Sequence, residues 1–441
     1  MRATVSLVAL LSTALVLSTS FTGTGTGTGA DSMGGVVATS TGASAPVARA
    51  LELDSAQVRR LLRGRPGPSP EIDAPGAPSE VLSVVSSQDS LTDALVATFV
   101  GLDGVLTTTQ VRSATLGLFG SVASDGSPRD VPPAGMRIPV NVIAIAPDTY
   151  LDVLLVDVDE HDAALVTGLV PGSVLLSASA ARLRGLDAGA TMDVGRASAL
   201  VVAGVVDDGV ARGSELLVHR DDVDRIGFGP RESLLVRTAV SASGPTVERL
   251  FDAALEESPD SDVRVWHGTD RVPLVLSTIA VKERFGEFAF RLVLNQREVD
   301  IERRFVDEWI TIERMPVLGN VRCHRLIMDD LRAAIEDAVA AGLSQWLERD
   351  RFGGCFHPRR IAYGRENLSR HAWGIAIDLN VDFSQPGAGP VPPEEFIEIW
   401  GRHGFRWGGD FTTPDNHHFE WVGSAAAVRP DRGAVEVRPA G

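Results

Sequence analysis

Two histidines and three carboxylates, closely spaced, stand out in the last third of the chain. The run Ser369-Arg370-His371-Ala372-Trp373-Gly374-Ile375-Ala376-Ile377-Asp378 is answered about forty residues later by Asp415-Asn416-His417-His418-Phe419-Glu420. His371, Asp378 and His418 offer nitrogen, oxygen and nitrogen donors. That set suits a zinc ion (Zn2+) held by three protein ligands with a fourth position open for hydrolysis. Asp415, three residues before His418, is placed to act as general base toward a water at that position. Glu420 shares a strand face with His418 and is expected to hold the ring nitrogen turned away from the metal.

The elements that carry these groups follow from spacing. His371 and Asp378 lie seven positions apart, and on one continuous strand an odd separation would put them on opposite faces. His371 is therefore expected in a loop, with Trp373-Gly374 as the bend and residues 375–379 as a buried strand carrying Asp378 inward. An aspartate among such apolar neighbours is costly unless paired or bound to metal. Residues 418–421 read as a second strand with Phe419 in the core, and Pro414-Asp415-Asn416 as a turn. His417 is the alternative ligand, but strand neighbours face opposite ways and the offset from Asp415 favours His418. On the residues alone, catalytic zinc stands beside a structural metal or a buried polar cluster. Likewise, Trp407-Gly408-Gly409-Asp410 can be a plain tight turn with a packed indole.

The chain has 441 residues and a net charge of −17. Its length predicts two folded units with linkers. Its charge argues against nucleic-acid binding and against an electrostatic grip on anionic membranes. Residues 2–16 read as the core of a secretory signal peptide (residues 1–30) or, uncleaved, an N-terminal anchor. No later stretch reaches the ~18 apolar residues of a membrane span. A secreted or cell-envelope location follows, and there the two cysteines, Cys323 and Cys355, read as one disulfide.

Residues 31–79 read as a linker, Gly/Thr/Ser-rich and then Pro-rich, with a short helix at 51–62. Residues 80–278 read as a β-rich α+β module, with strands at 138–145, 150–156, 199–206 and 233–237 and a helix at 246–257. Six of seven tryptophans, six of nine histidines and both cysteines follow position 300. That shift places a boundary near 275–285. The second unit, residues 279–426, opens with a charged strand-like stretch to Trp309. Helices are expected at 328–348 and 393–403, and a flexible tail at 427–441.

The middle region resembles the extracytoplasmic domain of MacB/FtsX-type ABC-transporter permeases. Gly172-Ser173-Val174-Leu175-Leu176-Ser177, residues 183–190, 201–208 and Glu215-Leu216-Leu217-Val218-His219 carry the likeness. It implies an interaction module for a cell-envelope protein.

The span 285–421 resembles the M15 metallopeptidases, which include D-alanyl-D-alanine carboxypeptidases and phage endopeptidases. The matching residues are Ser369-x-His371-x-x-Gly374-x-Ala376-x-Asp378, Gly404-Phe405-x-Trp407-Gly408-Gly409-Asp410 and Asp415-x-x-His418-Phe419-Glu420. The resemblance implies an α+β fold of the DD-peptidase/hedgehog type, with a small antiparallel sheet and helices. It implies zinc on His371, Asp378 and His418, and Asp415 as acid/base. A substrate-holding arginine is implied at Arg359, with Arg360 as the alternative. The VanY-like branch adds Leu318-Gly319, Cys323-His324-Arg325 and Gly354-Cys355, implying a Cys323–Cys355 bridge that pins the long helix to the arginine loop. The expected substrates are peptidoglycan stem peptides. Ser369, Trp373 and Trp407 are expected at the cleft, with core packing the alternative for both tryptophans. The loop at 384–390 is one place where bond specificity would reside. The competing reading is a non-catalytic zinc-containing binding or regulatory protein of the envelope.

Overall fold

A computed structural model describes residues 78–87, 90–230, 232–239, 247–256, 263–266, 275–294, 296–361, 367–381, 390–411, 414–423 and 438–439. The expected signal peptide, linker and short helix, and the loop at 384–390 up to residue 389, lie outside the described residues. Among these residues no helix is long and apolar enough to cross a membrane. The architecture is mixed α+β, a β-rich module followed by small antiparallel sheets with helices.

The N-terminal module is built on one ten-stranded sheet whose spine is the 18-residue strand Val105–Val122. Its first half pairs antiparallel with Glu232–Ala239, and its second half with Ile138–Ile145. From there the order runs through Leu216–His219, Ser173–Ser177 and Ala197–Val206 to Thr191–Val194, which pairs back onto the spine. The ring so closed has no free edge at that point. Its interior is filled by alternating apolar side chains such as Leu118, Val140, Val142, Val174, Leu176, Met192 and Val218.

The strands expected at 138–145, 199–206 and 233–237 are present, as is the helix at Val247–Glu256. The one expected at 150–156 is not. Pro147 starts a helical turn, Pro147–Tyr150, which runs into the 3-10 turn Leu151–Val153. The Tyr150 hydroxyl donates to Val210 O at 2.7 Å, anchoring that turn. Residues Arg438–Pro439, expected in a flexible tail, pair with Pro78 and Glu80.

The helix Thr278–Phe285 lies at the predicted boundary and touches both parts. Ser277 caps it and Gly286, at φ +84°, ends it. Lys282 Nζ sits 2.8 Å from both carboxylate oxygens of Glu215. Arg184 joins the cluster at 2.8 Å from Glu215 and from Glu287, with Asp130 at 3.0 Å. Buried charges of this kind are tolerated only when every partner is in place. Backbone bonds in both directions between Arg137 and Phe290, each 2.8 Å, continue the seam.

The C-terminal core is aromatic: Phe285, Phe288, Phe305, Trp373, Trp400, Phe419 and Trp421 are all buried. The stretch up to Trp309, read as strand-like, forms two short strands and then the helix Arg303–Trp309. The helix Met328–Ala340 presents Leu331, Ile335 and Ala338 to the core, one apolar stripe. It stops before the expected 348 because Gly342, at φ +75°, turns the chain away. The helix Glu394–Arg402 follows Pro393, with Glu394 and Glu395 in its first turn. It backs a three-stranded antiparallel sheet ordered Ala376–Asp378, His418–Trp421, Phe405–Trp407.

Candidate metal centre

The central sheet brings the far-apart motifs together. In its register Asp378 faces His418 and Ala376 faces Glu420. Directly opposed residues share a face, so Asp378 and His418 project together, and Glu420 follows two residues on. His371 arrives from outside the sheet. It sits in the 3-10 turn Arg370–Ala372, whose first residue follows Ser369; the Ser369 hydroxyl accepts from the His371 N–H at 3.4 Å. Gly374 makes the bend at φ +69°, and a Cβ there would lie 2.8 Å from the His324 backbone nitrogen. Only glycine fits both the conformation and the contact.

His371, Asp378 and His418 are buried, with one donor atom from each within 4.8 Å of the others. His371 Nε2 is 3.0 Å from Asp378 Oδ1 and 3.2 Å from His418 Nδ1, and His418 Nδ1 is 3.0 Å from the same oxygen. The His371 tautomer is set from behind. Its Nδ1 lies 2.8 Å from Cys355 O, which can only accept, so Nδ1 carries the proton and Nε2 presents a lone pair inward. This cluster can hold a metal ion.

The charges are balanced locally. Burial disfavours the charged form of His418, yet Asp378 and Glu420 outweigh it and hold the ring's pKa up to about 10. Burial wins at His371, whose pKa is lowered, so that ring is neutral near pH 7. Burial would raise the Asp378 carboxyl, but the charges and donors around it, among which His418 carries a proton toward it, hold it well below the usual carboxylate range. Glu420 behaves alike: burial opposes its charge, while His418 and Arg370 lower its pKa. Glu420 Oε2 stands 3.7 Å from His418 Nε2, an ion-pair distance behind the donor set.

Around this centre the other expected residues separate. Arg359 NH2 donates to Asp378 Oδ2 at 3.0 Å, so it stands at the cluster. Arg360 instead turns to the backbone oxygen of Gln296. Asp415 lies in the turn before the strand, its carbonyl accepting from the His418 N–H at 3.2 Å. Its Oδ1 is 3.0 Å from His417 Nε2. His417, considered as an alternative ligand, is thus outside the cluster and lies beside the Asp415 carboxylate.

Trp373, expected at the cleft, is 1% exposed. Its ring packs on Phe288 at 4.7 Å between centroids and its indole N–H donates to Gly286 O, so it belongs to the core. Trp407 is half-buried, its N–H donating to Asn416 O at 2.9 Å, which fixes the turn carrying Asp415. Ser369 is buried and caps the turn of His371.

Cys323 and Cys355 form a disulfide. Cys323 lies on the strand Gly319–His324, so the bridge pins that strand, and not the long helix, to the segment before Arg359. Sequence reasoning missed Arg370. Its guanidinium donates to Glu420 Oε1 at 3.2 Å, to Thr278 Oγ1 at 3.2 Å and to Leu276 O at 2.6 Å. No local pattern could have signalled it, because two of those partners lie more than ninety residues upstream.

Residues 363–421 match a family model described as D-alanyl-D-alanine carboxypeptidase, which supports a peptidase role. No curated protein matches the chain. Among solved structures, the periplasmic region of MacB from Actinobacillus actinomycetemcomitans is 16% identical, covering 45% of this chain and 92% of that one, with a TM-score of 0.29. A domain of a putative permease protein from Porphyromonas gingivalis is 18% identical, covering 42% and 88%, with a TM-score of 0.27. The extracellular domain of the ABC-type transporter YknZ from Gram-positive bacteria is 17% identical, covering 42% and 99%, also at 0.27.

Proposed function

We propose that this protein is a zinc metallopeptidase that hydrolyses peptidoglycan stem peptides outside the cytoplasm, as a D-alanyl-D-alanine carboxypeptidase or a related endopeptidase. The observation that carries this reading is the buried convergence of His371 Nε2, Asp378 Oδ1 and His418 Nδ1. Two imidazoles and one carboxylate fit the ligand preference of zinc, and the Cys355 carbonyl behind His371 is the kind of outer partner that such a histidine needs. When bound, zinc supplies a Lewis acid for the scissile carbonyl and lowers the pKa of a water. Residues 279–426 form the peptidase unit in this reading, and the disulfide supports an oxidising compartment.

The chain's own groups do the rest. Asp415 takes the proton from the attacking water and passes it to the leaving amine, with His417 beside its carboxylate. Arg359 uses one N–H on Asp378 and keeps others for the substrate's carbonyl or terminal carboxylate.

The test uses the full chain. Bound zinc is quantified by elemental analysis, and stem peptides are incubated with wild type and Asp415→Asn, products being read by mass spectrometry. One zinc with Asp415-dependent cleavage supports the reading and identifies the bond. One zinc without cleavage of any stem peptide would leave a binding or regulatory domain. No zinc at all would sink the ligand assignment.

A further inference from the structure

We propose that the sheet module is a working part of the metal centre, and that Asn141 and Thr278 are positioning residues for His418. This rests on His418 being a metal ligand, as proposed above.

The path is continuous. Asn141 lies on the strand Ile138–Ile145 of the N-terminal module. Its side-chain oxygen accepts from Thr115 Oγ1 at 2.9 Å, which fixes the amide, so its Nδ2 donates to Thr278 Oγ1 at 2.8 Å. The same hydroxyl accepts from Arg370 NH1. With NH2 on Leu276 O and Nε on Glu420, three edges of the Arg370 fork are occupied. Glu420 in turn stands behind His418.

Each link constrains direction, not only charge. A guanidinium held at two points, by Thr278 and Leu276, places Glu420, and the placed Glu420 biases where His418 turns its far nitrogen. Asn141 is itself fixed, because its backbone N–H donates to Glu215 Oε1 at 3.1 Å, the carboxylate that Lys282 clamps from the Thr278 helix. A second tether is independent of the first. The Thr115 N–H of the long strand donates to Asn367 Oδ1 at 3.1 Å, just ahead of the Ser369–His371 turn. Two module residues thus hold the segment that delivers His371 and Arg370.

The experiment is made on the full chain with zinc alone as probe. Zinc affinity is measured by competition with a chromogenic chelator, and the His418 ring nitrogens are followed by NMR of metal-free, histidine-labelled protein. Thr278→Val, which removes only the hydroxyl, is expected to weaken zinc binding by about three- to tenfold, and Arg370→Lys by about ten- to hundredfold. Thr278→Ser should restore the wild-type value, and Thr278→Val should add little in the Arg370→Lys background. In Thr278→Val the His418 resonances should move while those of distant His161 stay. A merely structural hydroxyl would change the unfolding midpoint and leave both readouts alone. Wild-type affinity and unmoved His418 signals in Thr278→Val, or additive losses in the double variant, overturn the proposal. If Thr278→Val does not fold, Asn141→Ala and Arg370→Lys are read against the same two measurements. Failure of wild type to bind zinc would refute the ligand assignment instead, and the NMR readout would still judge the relay.

Discussion

Zinc uptake should release a proton across an unusually wide pH range, because His418 holds its proton so firmly. Asp378 and Glu420 raise that ring's pKa to about 10, whereas burial lowers that of His371. A metal cation takes His418 Nδ1 only after the proton leaves, and His371 is already neutral near pH 7. The sign follows: affinity rises with pH, by about tenfold per unit, until the His418 pKa is passed. From about pH 6.5 to about pH 8.5 the gain is about a hundredfold, about 2.7 kcal/mol. An ordinary imidazole, near pKa 6.5, would give a curve that flattens above about pH 7. Chelator competition across that range, with calorimetry in buffers of different ionisation enthalpy, counts the protons released. One proton per metal at about pH 8 supports the argument; a plateau above about pH 7 with no proton released refutes it. Glu420→Gln, which removes one of the two carboxylates retaining the proton, should move the bend of the curve to lower pH.

Three further expectations concern single side chains. Asp415→Asn should lower turnover of stem peptides by about a hundred- to ten-thousandfold with zinc content unchanged by elemental analysis. His417→Ala, which removes the ring 3.0 Å from Asp415 Oδ1, should lower kcat by about tenfold and leave zinc affinity intact; equal losses in both would contradict its placement outside the cluster. Gly408→Ala places a Cβ 2.9 Å from Asp415 O and 3.0 Å from His418 Cβ. It should cost about 1–3 kcal/mol in denaturant unfolding and weaken zinc binding, since neither neighbour is a flexible chain end.

The convergence of His371, Asp378 and His418 was legible because its logic is local. The seven-residue spacing of His371 and Asp378 excludes one strand, Gly374 supplies the bend, and the strand His418–Trp421 alternates as its residue types require. Arg359 and Arg360 were not separable, because adjacent residues on extended chain point opposite ways and only the pairing partners decide which faces the cluster. Here Arg359 bridges Glu298, and Arg360 bridges Leu368. Trp373 looked available for a cleft, and the partner that buries it, Gly286 O, is 87 residues away. The long strand Val105–Val122 escaped notice since Thr107 to Thr109, Gly117 and Gly120 dilute its alternation, yet it pairs on both sides. The apolar run at 150–156 misled for the opposite reason. Its residues favour a strand, but Pro147 and the Tyr150 hydroxyl bond commit them to turns.

Cys355 has two roles at once: its sulfur closes the bridge to Cys323, and its carbonyl faces His371 Nδ1. One residue therefore carries both a covalent tie and the tautomer of a buried ring. Under the peptidase reading above, reducing the bridge should loosen the backbone oxygen that faces His371 and make the cluster's metal affinity redox-dependent, although neither cysteine belongs to the cluster.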